Sequence, residues 1–103
     1  MPNFIFAYHG GSAPESPEEG EKVMAEWMAW FGGMGDAVVN PGNPVGLSKT
    51  VNASGIADGG GANPLSGYSV VQADTIEAAC EMAKNCPIVN DGGSVEVAEI
   101  HEM

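Results

Sequence analysis

Apolar residues recur along this chain at two spacings, two residues in some stretches and three to four in others. Residues 3 to 9, NFIFAYH, are apolar or aromatic at nearly every position, as in a strand covered on both faces. Phe4, Phe6 and Tyr8 fall on one side of it, Ile5, Ala7 and His9 on the other. Ser16-Pro17-Glu18-Glu19 predicts a helix start: Ser16 caps it, Pro17 takes the first helical position and Glu19 completes a capping box. Val23, Trp27, Trp30, Phe31 and Met34 follow at three- and four-residue spacing, with Met24 and Met28 on the flank. This is an amphipathic helix of about four turns, ended by Gly32 or Gly33.

Residues 37 to 55 read as a short strand, a Pro-Gly turn and an extended segment around Ser48 to Val51 able to pair at a sheet edge. Residues 56 to 67, rich in glycine with an Asn-Pro step, read as a loop. YSVVQAD, 68 to 74, is a strand, and Asp74 is placed to cap a second helix with Glu77 in its capping box. Ile76, Ala79, Cys80 and Ala83 form that helix's buried stripe, and Pro87 prevents its continuation. The last strand, 94 to 100, places Val95 and Val97 on one face.

Strand, helix, strand, strand, helix, strand is the order of a ferredoxin-like βαββαβ sandwich, an α+β fold whose antiparallel sheet carries both helices on one face. The first strand is apolar on its other face as well, which would leave a large exposed patch. A second copy packing sheet against sheet removes it, so a homodimer is expected.

Composition narrows the partners. The chain has 103 residues, enough for one domain spanning 1 to 103. Its 44% apolar and 17% charged content fits a folded protein. A formal net charge of -11, from 14 acids against 3 bases, repels phosphate backbones and anionic membranes, so neither nucleic acid nor membrane is an expected partner. No basic start precedes the short apolar run at the N-terminus, and no run reaches the roughly 20 residues of a membrane span. Cys80 and Cys86, if helical, stand about 9 Å apart, too far for a disulfide. Reduced thiols and a cytoplasmic location are the expectation.

Residues 67 to 100, GYSVVQADTIEAACEMAKNCPIVNDGGSVEVAEI, resemble the C-terminal half of the YCII-related, or DGPF, family: a Gly-Tyr strand, an acidic cap, an Ala-rich helix, a Pro, a Gly-rich turn and a Val-Glu-Val strand. The N-terminal half agrees more loosely, through its aromatic strand, acidic Pro-containing helix start, Trp27 and Gly35. The resemblance implies a ferredoxin-like protomer in a dimeric α+β barrel. The Asp-Gly-Pro-Phe signature is not present; Asp58-Gly59 is followed by GGANPLSG. Nor does a His-Asp pair thought to serve some members carry over, since the first helix has no His and Asn85-Cys86 precede Pro87.

His9 is the candidate catalytic residue: the only histidine outside the tail, at the end of a central strand and beside Gly10-Gly11. An imidazole there can act as a general acid or base; its bland role is a strand-end hydrogen bond to backbone. Ser48 and Lys49 are candidate substrate-binding residues, Lys49 for an anionic group, against the plain reading of an edge-strand lysine that discourages aggregation. Asn43 is a candidate rim residue and Trp30 a candidate at the pocket or dimer edge, with Trp27 in the core. Scattered His and Cys supply no metal site, and no cofactor is called for. Two functions follow. One is small-molecule binding in a cleft near His9 with cofactor-free acid–base catalysis on a small organic substrate; the other is a ligand-binding or accessory module without turnover.

Overall fold

In the computed structural model, which describes residues 1–11 and 15–102, the aromatic face of the first strand organises everything else. Strand β1 (Asn3–His9) is central. It pairs antiparallel with β5 (Leu65–Gln72) on one side and β6 (Ser94–Glu99) on the other, while β2 (Val38–Asn40) pairs with the far edge of β5. The sheet order is β2-β5-β1-β6. The chain is α+β with an antiparallel sheet, and this order is compatible with a ferredoxin-like fold.

Phe4 and Phe6 are fully buried and Tyr8 nearly so, because helices α1 (Pro17–Met34), α2 (Ile76–Ala83) and α3 (Pro87–Asn90) cover their face. Phe6 stacks on Trp30 with ring centroids 6.0 Å apart, and Tyr8 meets the edge of Trp27 at 5.0 Å. Such contacts add to the area that each ring removes from water. The indole N–H of Trp30 donates to the Met82 carbonyl at 3.0 Å, which ties α1 to α2. Ala79 and Ala83 are buried; their short side chains let α2 lie close on the sheet.

The local signals act largely as the chain promised. The Ser16 hydroxyl accepts from the Glu19 N–H at 3.2 Å, with Pro17 opening α1. The reciprocal bond of the box lands one residue early, on the Glu15 N–H. Helix α1 runs through Gly32 and Gly33 and stops at Gly35, φ +55°, since the apolar stripe through Phe31 and Met34 holds it to the core. Thr75, not Asp74, caps α2, its side chain accepting from the Ala78 N–H at 3.1 Å. Pro87 does more than end a helix: it opens α3, where a residue without an N–H is tolerated.

The middle of the chain departs most from expectation. Residues 49 to 52 do not join the main sheet; β3 (Lys49–Asn52) pairs with β4 (Gly55–Asp58) as a separate hairpin. Its turn is closed by the Asn52 side chain, which accepts from the Ser54 N–H at 2.9 Å, and by Gly55 at φ +130°. Every residue of both strands is exposed. This arm helps to raise the radius of gyration to 14.7 Å, against about 13 Å for a compact domain of this length.

Pro41 to Val45 is stitched back to β5. Asn43 and Ser66 carbonyls accept from Tyr68 and Val45 N–H groups at 3.2 and 2.9 Å. Gly42 sits at φ +70°, where a β-carbon would collide with the Tyr68 carbonyl, so only glycine fits that crossing. On the face of the sheet turned away from the helices, the register aligns Ile5 with Val70 and Ala98, and Ala7 with Tyr68 and Glu96. Ile5, Ala7, Tyr68, Val70 and Ala98 are each only half-buried. Among the described residues, no helix is long and apolar enough to cross a membrane.

Candidate functional site

His9 closes β1 at a bulge: Tyr8 faces Gly67, but His9 faces Leu65, so one residue of β5 is skipped. The residue is 8% exposed. Its Nδ1 lies 3.2 Å from the Pro64 carbonyl and its Nε2 3.1 Å from Oε1 of Glu96. Both neighbours only accept, so a ring carrying two protons donates to both and a neutral ring to one. Glu96, 67% exposed at its side chain, keeps this end of the pair in water. Its role was readable in part: the alternation that turns Val95 and Val97 inward turns Glu96 outward, onto the face that β1 gives to His9. What sequence alone withheld was that β6 is the strand beside β1.

The other candidates are dispersed. Ser48 lies at the base of the β3–β4 arm, where its carbonyl accepts from the Gly59 N–H at 2.9 Å. It stands close to the loop that meets His9: a methyl group added at Gly60 would be 2.9 Å from Pro64 and 3.6 Å from the Ser48 hydroxyl. Lys49 is paired with Asp58 across the hairpin at 2.7 Å, both exposed, an ion pair of small energetic weight. Trp30 is not at an edge; it is 8% exposed in the core. Trp27, expected in the core, is the one at a pocket wall.

That pocket is a hollow of about 770 Å³ between α1, α3 and the loops at the His9 end of the sheet. Tyr8, Trp27, Phe31 and Ile88 line its inner wall, Met24 and Met28 its outer wall, and Pro41 to Pro44, with Asn43, its rim. Gly10 and Gly11 line it, while the His9 side chain is on the other face of the sheet. The signal for it was the breadth of the α1 stripe. Met24 and Met28 are 64% and 65% exposed although they neighbour Trp27 and Phe31, so the apolar surface of α1 is wider than the sheet can cover. A smaller hollow of about 290 Å³ lies near the other end, beside Met1, Gln72 and Met82.

A buried relay fixes the rim. The Tyr8 hydroxyl donates to the Ser69 hydroxyl at 2.7 Å, and Ser69 donates to the Pro41 carbonyl at 2.6 Å. Burial pushes the Tyr8 phenol far above its ordinary value, partly offset by Ser69. Burial likewise pushes the Cys86 thiol up to about 11. Cys86 is buried and Cys80 exposed, and both are free. Among the described residues, no group of three or more His, Cys, Asp or Glu side chains is placed to hold a metal ion. Comparison of the chain with family models and with curated proteins finds no match.

Because the raised thiol and phenol are both held neutral in the folded state, their contribution is complete below pH 9 and is lost as the pH climbs towards 11 and beyond. The melting temperature is therefore expected to fall across that window while Cys80 alone reacts with a thiol reagent at pH 8. Two equally reactive thiols in the native protein would contradict the burial of Cys86.

Proposed function

We propose that this protein is a YCII-related, ferredoxin-like protein that binds a small organic molecule in the hollow beside the end of β1. The observation that carries the reading is the 770 Å³ cavity with its aromatic and methionine walls, a volume within the range of small-molecule sites. Gly10 and Gly11, which follow His9, give the ligand close approach to backbone. A neutral fluorescent probe, phenylnaphthylamine, is expected to brighten on binding, to saturate, and to quench Trp27. Met24→Glu, at an exposed position, should weaken it by at least about tenfold, equivalent to about 1.4 kcal/mol, without lowering the melting temperature. Probe binding indifferent to Met24→Glu would place the ligand elsewhere.

The working form on this reading is a homodimer packed sheet to sheet, a dimeric α+β barrel. The half-buried Ile5, Ala7, Val70 and Ala98 support it, and so does the charge distribution. Among the described residues that the register aligns on that face, Glu96 is the only acid, and it is bonded to His9. Two such faces can meet with little of the repulsion that a net charge of -11 otherwise imposes. Sedimentation at micromolar concentration should give a dimer and Val70→Glu a monomer; a native monomer would refute the pairing.

The His9–Glu96 contact favours a second reading, in which a small organic substrate held on the outer face of the sheet, beside His9 and apart from the hollow, is turned over. Here His9 moves a proton, Glu96 holds the ring's orientation, and Ser48 at the base of the arm orients the substrate, with no cofactor called upon. Turnover found by metabolite screening should then be abolished by His9→Ala at an unchanged melting temperature. A lower melting temperature with no turnover in the native protein would leave His9 a structural residue.

A further inference from the structure

The hollow assigned above to a ligand carries a charge bias that narrows what it takes, and the inference rests on that assignment. Glu26 and Asp91 are among the residues that line it, and among the described residues no Lys, Arg or His does. The acids Glu18, Glu19, Glu21 and Glu26 all belong to α1, the helix that forms one wall. The chain as a whole carries -11, and a concave site with low-dielectric walls concentrates such a field. An anionic ligand would meet two carboxylates and no basic side chain. It would also lose its hydration against an apolar wall, a cost that no basic side chain among the described lining residues offsets.

The same walls suit a cation. Tyr8 and Trp27 meet at an interplanar angle of 80°, and Trp27 and Phe31 are tilted by 38°, so the rings that line the hollow lie in different planes. The faces of aromatic rings attract ammonium groups. Met24 and Met28 offer polarizable, adaptable surface for an apolar body. We infer that the cavity binds an amphiphilic organic cation, a protonated amine carried on an aromatic or alkyl body, with the body against Trp27, Phe31 and the methionines and the ammonium drawn to the acidic rim.

Three near-isosteric probes test this by calorimetry at pH 7 on the native protein: naphthylmethylamine, naphthalenemethanol and naphthoate. The amine is expected to bind about tenfold more tightly than the alcohol, and the carboxylate most weakly. Added salt should weaken the amine and little affect the alcohol. Glu26→Gln should narrow the gap between amine and alcohol several-fold. Equal affinity of amine and alcohol would overturn the charge inference while leaving the cavity reading intact, and tightest binding of the carboxylate would overturn it outright. If none of the three binds, the cavity reading falls and this inference with it; resistance of Met24 and Met28 to peroxide would then show that a second copy covers the groove.

Discussion

The contact of Phe6 and Tyr8 with Trp27 and Trp30, with Phe4 buried in the same cluster, is the joint on which the molecule depends. It sets which face of β1 turns towards the helices, and a strand's period of two leaves no freedom after that. Each large side chain so buried is stabilised by about 1.5–3 kcal/mol through removal from water, so a one-residue slip of β1 would forfeit several such terms at once. The same choice sends Ile5, Ala7 and His9 to the opposite face. There the sheet meets no helix, and His9 meets Glu96.

From this joint the two candidate chemistries separate. Tyr8, the last inward residue of β1, forms a wall of the hollow and begins the hydrogen-bonded relay through Ser69 to Pro41 that holds the rim. His9, the next residue, belongs to the outer face. A single peptide step thus divides an apolar, acid-rimmed cavity from a histidine–carboxylate pair. The relay matters because its groups are buried. Ser69 is 0% exposed, and a hydroxyl there without partners would be strongly destabilising; satisfied, it fixes loop, strand and ring together.

Charge is arranged by the same layering. Acids crowd the helical side and the termini, whereas residues 41 to 66 carry only Lys49 and Asp58, paired with each other. The arm made by β3 and β4 is consequently close to neutral and carries exposed apolar residues, Val51 and Ile56 at 72%, with Leu47 at 97% just ahead of it. The helical layer keeps the molecule strongly negative, and the sheet face does not.

Local chemistry in the chain was sufficient for the elements whose signals are short-range. Ser16 and Pro17 opened α1 where expected, and β1 and β6 fell where their apolar patterns put them; of the stripe expected on α2, Ala79 and Ala83 are buried while Ile76 and Cys80 are exposed. Signals failed where two neighbours competed or where partners were distant. Thr75 outcompeted Asp74 as a cap, and 49 to 52 found a partner in 55 to 58, nearer along the chain than any sheet edge. The candidate site was legible only in pieces. His9 and Asn43 could be singled out as residues, but Glu96 and Pro64, 87 and 55 positions away from His9, became its neighbours only through strand order and the bulge at Tyr8 and His9. The exchange of roles between Trp27 and Trp30 has the same origin. Helical spacing places both on one stripe, and which of them reaches the core depends on how α1 lies across the sheet, a matter of packing between elements and not of the residues along one.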